Sequence, residues 1–340
     1  MGSRTQLASS VGRHAVGALA LSYVLPLRKD SVEDVAELAR YVRGLAMVVD
    51  DLLVMDGSPP EVFEAHAAAF GPGPRHLPPD PRHSFANGKV DGVLTGVELA
   101  RNEAVVIADD DVRWDAAGLA RAAALLGAAD VVRPQNYFEP LPWHARWDTA
   151  RSLLNRAFGA DYPGTLAVRR STLLSAGGYD GDAMFENLEL MRTVRAVGGS
   201  VHSPLDLYVR RLPPTARQFR NQRVRQAFDD FAQPPRLVAS LAVVPLVVAA
   251  LVRRRLVLLA ALVLVPMGVA ERGRRRGGGR SVFPASCVAF APAWVLERAV
   301  CSWIAVGCRV LWGGPRYRGR VMRLAATPSR VLRRRLRRPG

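Results

Sequence analysis

Three consecutive carboxylates, Asp109-Asp110-Asp111, follow the apolar run Ala104–Ala108 and precede Val112. Apolar residues running into packed acids describe a buried parallel strand that delivers its carboxylates to the carboxyl edge of a sheet, where open α/β folds bind ligands. Oxygen donors placed there suit a hard divalent cation and, through it, a diphosphate. A second acid ends an apolar run at Val54-Met55-Asp56-Gly57-Ser58, and a lysine stands in Asn87-Gly88-Lys89. Only two of the 47 basic residues are lysines, Lys29 and Lys89. In a chain that writes its cations as arginine, a retained lysine marks a place where a compact ammonium is wanted.

The elements that must position these residues alternate. Residues 22–27 read as a strand, and 32–48 as an amphipathic helix with Val35, Leu38, Ala39 and Val42 on one face. Residues 51–55 read as a second strand, turned at Gly57, with Ser58 beginning a helix over 61–70. The Gly/Pro-rich stretch 71–81 reads as loop, 87–100 as helix, 103–108 as the strand feeding the triplet, and 116–126 as another helix. Strands alternating with helices predict a parallel sheet of the mononucleotide-binding kind. After about residue 130 the periodicity weakens, as where an acceptor-side subdomain is grafted onto a nucleotide-binding half.

Charge divides the chain. Residues 1–236 hold 27 Lys+Arg against 28 Asp+Glu, and residues 237–340 hold 20 against 2, so the net +17 lies in the last third. Residues 237–252 and 256–270 are uncharged and apolar, separated by Arg253-Arg254-Arg255. Each run spans only ~24 Å as a helix against a ~30 Å hydrocarbon core, a shortfall that flanking arginines make up by snorkelling. A helical hairpin in a membrane is predicted. Residues 282–312 are apolar but carry Glu297, Arg298 and Arg309. They either cross with the central pair shielded or lie along the interface with charges facing water. A third crossing would export ten arginines, so the positive-inside rule favours the interfacial placement. No cleavable leader is expected, because the apolar residues 15–26 run into Leu27-Arg28 without a small-residue cleavage site. Cys287, Cys301 and Cys308 match no metal or disulfide spacing and read as apolar packing residues.

Taken in order, Val54-Met55-Asp56-Gly57-Ser58, Asn87-Gly88-Lys89, Ala108-Asp109-Asp110-Asp111, Gly177-Gly178-Tyr179-Asp180, Phe185-Glu186-Asn187-Leu188-Glu189-Leu190 and Gln222-Arg223-Val224-Arg225 resemble the motifs of a membrane-attached family 2 glycosyltransferase of GT-A fold. The resemblance runs from Tyr23 to about Arg320. It implies an α/β fold, a Rossmann-like nucleotide-diphospho-sugar transferase domain over residues 1–236. Membrane-associated helices follow over 237–312 (hairpin 237–270, third segment 282–312), and an arginine-rich cytoplasmic tail over 313–340. It implies that Asp56 contacts the base or ribose, that Lys89 lies on the phosphate side, and that the triplet is a DxD motif. Within the triplet Asp111 would be the direct ligand of Mg²⁺ or Mn²⁺, with Asp109 at its other end nearer the ribose or sugar and Asp110 beside them in the nucleotide-sugar site.

The sequence departs from the family at two places. The Glu-Asp pair that carries the catalytic base is here Glu186-Asn187, and asparagine accepts no proton at neutral pH, so Glu186 is the nearest substitute, with Glu189 and Asp182 behind it. Gln222-Arg223-Val224-Arg225-Gln226 resembles QxxRW with glutamine in place of tryptophan, which weakens any expectation of processive polymer synthesis. Arg223 and Arg225 would stabilise the departing diphosphate. Gly313–Arg320 resembles the terminal motif of membrane-bound members.

The expected activity is transfer of a sugar from a nucleoside-diphosphate sugar to a hydroxyl of a lipid or lipid-linked acceptor at the cytoplasmic face of the cell membrane, with inversion and a divalent metal. A multi-pass protein with its catalytic domain in the cytoplasm is expected. The alternative is an impaired relative that binds nucleotide sugar or partner proteins without turnover, motivated by Asn187. A nucleotidyltransferase would want a glycine-rich loop after the first strand, and residues 25–30 supply none. No nucleic-acid partner is expected, since the front domain carries no charge excess and the arginines cluster beside apolar runs.

Overall fold

A computed structural model describes residues 17–32, 35–317 and 320–336. Residues 15–16 of the first apolar run, 33–34 of the first expected helix, Arg318 and Gly319 of the terminal motif, and residues 337–340 lie outside these. The front half alternates β1 (Leu19–Leu27), α1 (Val35–Leu45), β2 (Val49–Asp56), α2 (Pro60–Phe70), β3 (Arg75–Leu77), α3 (Gly88–Leu99) and β4 (Ala104–Ala108). Period-two alternation sends Leu21, Tyr23, Leu25 and Leu27 of β1 into one core and Val24 into the other. β2 divides likewise, Leu52 and Val54 against Leu53 and Met55. Both faces are covered, which is why these strands read as unbroken apolar runs.

Continuing, β5 (Val112–Arg113), α4 (Ala116–Leu125), β6 (Val131–Val132), β7 (Gln135–Phe138), α5 (Trp143–Phe158), β8 (Thr165–Arg169), α6 (Arg170–Ser175), α7 (Glu186–Ala196), β9 (Val201–His202), β10 (Tyr208–Arg211) and α8 (Ala216–Phe228) complete a mixed α/β domain. Its seven-stranded sheet has the order β3-β2-β1-β4-β8-β6-β9. The expected parallel pairing holds for β3, β2, β1 and β4, but β8 runs antiparallel to both β4 and β6. Val106 faces Ala167 in that pairing, too far along the chain for any local pattern to set the direction. Two local expectations are also corrected. The stretch 71–81 contains β3, an edge strand, and Pro59 precedes α2 with no side-chain cap, while the Ser58 hydroxyl instead accepts from Lys29 N at 2.9 Å.

A tight turn at Asp229–Ala232 leads to α9 (Pro234–Val252), α10 (Leu256–Arg275) and α11 (Ala291–Trp312), followed by β11 (Arg316–Tyr317), β12 (Arg320–Val321) and α12 (Ser329–Leu336). Three helical stretches, Pro234–Val252, Leu256–Ser281 and Ala285–Trp312, are long and apolar enough to cross a membrane. Few residues of the first two are fully buried, 6% and 11%, against 39% in the third. Against the interfacial expectation, the central pair of α11, Glu297 and Arg298, does not face water, while Arg309 near its end is exposed. Glu297 accepts from Arg223 and from Trp147 Nε1, and Arg298 pairs with Asp230. A buried charge is costly unless paired, and the front domain supplies each partner.

The chain then returns to the front domain. Met184 N donates to Leu324 O at 2.9 Å, Phe185 N to Ala325 O at 2.8 Å, and Thr327 N to Glu189 Oε2 at 2.6 Å. Met322, Ala325, Ala326 and Leu332 are buried there, so much of the C-terminal segment is docked on α7 as core.

Candidate active site

The strands β1, β2 and β4 end at one edge of the sheet, with Leu27 level with Asp56 and Val24 level with Ile107. Because β2 lies on one side of β1 and β4 on the other, the winding reverses at β1 and opens a crevice there. A cleft of about 820 Å³ occupies it, a size suited to a nucleotide-scale ligand. Its walls are the loop Arg28-Lys29-Asp30 after β1, the triplet after β4, the first turns of α3 and α7, and one face of α8.

Each carboxylate of the triplet meets a cation. Lys29 pairs with Asp110. Lys89 Nζ lies 2.5 Å from Asp109 Oδ1 and 2.7 Å from Glu186 Oε1. Arg211 Nε donates to Asp111 Oδ2 at 2.8 Å and its Nη2 reaches Asp109 Oδ2 at 3.4 Å. Local structure explains these placements. Asn87 caps α3 by accepting from Lys89 N, which fixes Lys89 in the first turn. Arg211 is brought in by antiparallel pairing of β10 with β5, where it stands opposite Val112. Gly164 lets the strands close on the triplet, since a side chain there would run into Asp109 and Arg211. Burial alone would lower the pKa of Lys89, but Asp109 and Glu186 hold it above its usual value. Arg211 is raised in the same way by Asp111 and Asp109 against burial.

The donor set fits a divalent cation. Asp111 Oδ1 is buried without a hydrogen-bond partner, a carboxylate oxygen left over after Arg211 has taken the other. Burial pushes Asp111 above the ordinary carboxylate range despite Arg211, with Asp109 adding to the effect. Among the described residues no group of three or more His, Cys, Asp or Glu could enclose a metal. One or two carboxylates completed by substrate phosphates is the usual arrangement for Mg²⁺, and this site offers that arrangement.

Asp56 sits at the same edge but faces away from the cleft, which Gly57 lines in its place. The residue is 1% exposed, and its carboxylate accepts from His66 Nδ1 at 2.6 Å, His76 Nε2 at 3.0 Å and Ser58 N at 2.9 Å. Burial disfavours its charge, yet those hydrogen bonds, His76 foremost, push it down to about 2. His66 stacks on Phe70 and His76 on Phe63, so Asp56 ties α2 and β3 to the end of β2.

On the opposite wall Glu186 and Asn187 both line the cleft, Glu186 engaged by Lys89 and Asn187 donating to Pro163 O at 3.1 Å. Glu189 and Asp182 are held elsewhere, by Thr327 N and Ala86 N. α8 begins with a reciprocal capping box between Thr215 and Gln218 and turns Gln218, Gln222, Arg225 and Gln226 toward the cleft, followed by Asp229. Arg225 lies over the Tyr317 ring, 4.9 Å from its centroid. Arg223 points the other way, onto Glu297, Asp148 and the Phe219 ring, and does not line the cleft.

Residues that the sequence reading did not single out also line the cleft: Arg211, Lys29, Arg151, Tyr317 and Asp229. The scarcity of lysine that flagged Lys89 applies equally to Lys29, and both meet the triplet. Arg211 has no local signal, because strand pairing brings it in; Tyr317 lies in the terminal motif Gly313–Arg320, but only the returning C-terminal segment carries it to the cleft.

No family model matches the chain, and no curated protein matches it. Among solved structures, the chain is similar to a mannosyltransferase from Pyrobaculum calidifontis in complex with GDP-Man and Mn²⁺, at 15% identity over 86% of this chain and 90% of that one, with a TM-score of 0.46. Mannosyl-3-phosphoglycerate synthase from Rubrobacter xylanophilus matches at 17% identity over 60% and 70%, TM-score 0.41. Glucosyl-3-phosphoglycerate synthase from Mycobacterium tuberculosis, in complex with Mn²⁺, UDP and phosphoglyceric acid, matches at 19% identity over 56% and 74%, TM-score 0.38.

Proposed function

We propose that the protein is a divalent-metal-dependent glycosyltransferase of GT-A type that moves a sugar from a nucleoside-diphosphate sugar to a hydroxyl of a lipid or lipid-linked acceptor. The observation that carries this reading is the triplet at the switch point of the sheet, with Asp111 Oδ1 buried and unpartnered beside a cleft of about 820 Å³. Asp111 and Asp109 would hold Mg²⁺ or Mn²⁺, and the bound cation would offset charge on the diphosphate. Lys89 and Lys29 present compact ammonium groups beside the same phosphates, and Arg225 lies across the cleft. These cations are positioned before the reaction and stabilise charge as it grows on the leaving group.

The lipid acceptor is supported by the apolar helices attached to this cleft. α8 forms its wall and runs through a four-residue turn into α9, so a membrane-bound hydroxyl reaches the cleft without leaving the bilayer surface. The front domain and the docked C-terminal segment share one side of the membrane, which requires an even number of crossings between them. In this reading α9 and α10 supply two and α11 lies along the interface with Glu297 and Arg298 shielded by the front domain, and the arginines beside the apolar runs support a cytoplasmic domain.

Nucleoside-diphosphate release measured on membranes with Mn²⁺, UDP-glucose, GDP-mannose and a lipid extract tests the reading. Acceptor-dependent release lost in Asp111→Asn supports it, and release unaffected by that substitution sinks it. The second reading, nucleotide-sugar binding without turnover, draws on Glu186 and Asn187 being occupied by Lys89 and Pro163 O. Metal-dependent binding with no release from any donor would favour it.

A further inference from the structure

The transfer reading leaves one chemical need unmet. A hydroxyl acceptor must lose a proton, and asparagine at position 187 cannot take it. Glu186 lines the cleft but is locked to Lys89 at 2.7 Å, and the three acids of the triplet are likewise in ion pairs. Asp91 accepts from Phe85 N, and Asp30 stands exposed on the loop after β1. The remaining carboxylate in the cleft is that of Asp229, half-buried at the end of α8; its backbone N–H caps the helix on Ala227 O, while the carboxylate makes no hydrogen bond or ion pair among the described residues. It follows Gln222, Arg225 and Gln226 on the cleft face of that helix, and it is the last cleft residue before the chain enters α9.

Building on the glycosyl-transfer reading, we propose that Asp229 is the catalytic base, taking the proton from an acceptor hydroxyl that approaches along the α8–α9 junction. The acceptor O–H bond breaks toward the Asp229 carboxylate while the acceptor oxygen bonds to the anomeric carbon. The bond from that carbon to the diphosphate oxygen breaks, and its electron pair leaves on the diphosphate. The position suits a membrane substrate, because the turn Asp229–Ala232 joins the wall of the cleft to the first apolar helix.

The surroundings tune the group for this work. Burial raises Asp229 to about 7, opposed by Arg298 of α11 and Arg225 of α8, and reinforced by Glu186 of α7 and the adjacent Asp230. A base with a pKa near the operating pH balances the deprotonated fraction against proton affinity. Arg298 is itself paired with Asp230 at 2.9 Å and makes no ion pair with Asp229 among the described residues.

The test compares wild type, Asp229→Asn, Asp229→Glu and Glu186→Gln in membranes. Each is assayed for Mn²⁺-dependent UDP and GDP binding and for nucleoside-diphosphate release from UDP-glucose and GDP-mannose with a lipid extract. The expected result is that Asp229→Asn binds nucleotide normally but loses transfer by about 10²-fold or more, that Asp229→Glu recovers part of it, and that Glu186→Gln loses far less. Wild-type kcat/KM should rise as pH passes through about 7, and this limb should vanish in Asp229→Asn. Transfer retained in Asp229→Asn, or a collapse confined to Glu186→Gln, overturns Asp229 as the base and leaves the transferase reading standing. Nucleotide binding without release from any wild-type preparation overturns both.

Discussion

Arg223 and Glu297 form a two-point ion pair across the junction between the front domain and α11, with Nε 2.6 Å from Oε1 and Nη2 2.9 Å from Oε2. The arginine belongs to a motif whose resemblance points at a departing diphosphate, yet its guanidinium also holds Asp148 and stacks on Phe219. The pair fastens α11 to the cleft wall. Truncating one partner strands the other charge in a largely buried site, at a cost of about 3–5 kcal/mol. Arg223→Ala and Glu297→Ala should each lower the unfolding midpoint in detergent by similar amounts, and the double variant should lose less than their sum. Additive losses would mean that the two residues do not work as a pair.

Lys89 should matter through charge. Its ammonium meets Asp109 and Glu186, and would present the same charge to a diphosphate. Lys89→Met is expected to weaken nucleoside-diphosphate binding by about 10- to 100-fold, the loss of one or two charge-assisted hydrogen bonds. Titration calorimetry with UDP or GDP and Mn²⁺ measures this, and unchanged affinity would remove Lys89 from the phosphate site.

Arg211 and a divalent cation draw on the same carboxylates. Arg211→Gln is expected to raise Mn²⁺ affinity in the absence of nucleotide, because Asp111 and Asp109 lose their competing cation. The same change should lower thermal stability, since three neighbouring acids are left less neutralised. Paramagnetic broadening or calorimetry with Mn²⁺ alone reads the first effect.

Asp56 predicts a pH limb of stability. Its folded-state pKa is pushed down to about 2, below the ordinary Asp value near 4. A depressed acid contributes stability that is fully present above its unfolded pKa and lost as pH falls through the folded one. The contribution, about 2–3 kcal/mol, should therefore fade between about pH 4 and pH 2. Denaturant unfolding of Asp56→Asn against wild type should show a difference at pH 6 that shrinks toward pH 2.

The docked C-terminal segment makes topology testable. In a chain whose Cys287, Cys301 and Cys308 are replaced by alanine, Arg254→Cys at the tip of the hairpin should react with an impermeant maleimide on intact cells. Arg335→Cys on α12 should react only after permeabilisation. Reaction of both from outside would break the two-crossing arrangement.

Residues near one another in sequence disclosed much of this molecule by themselves. The alternation through residue 126, the triplet at a strand end and the apolar hairpin were legible because each depends on local periodicity or charge. The faces of β1 and β2 and the capped start of α3 follow from the same short-range rules. What only the tertiary structure decided rests on contacts between distant residues. Strand reversal at β8, the arrival of Arg211 opposite Val112, and the docking of residues 322–327 on α7 leave no local trace. Side-chain direction was equally hidden. Asp56 turns from the cleft because His66 and His76 bind it, and Arg223 turns away because Glu297 and Asp148 do. Asp229 enters the cleft because α8 ends beside it. A sequence places such charges on an element, but the partners that compete for them are chosen only when the elements pack.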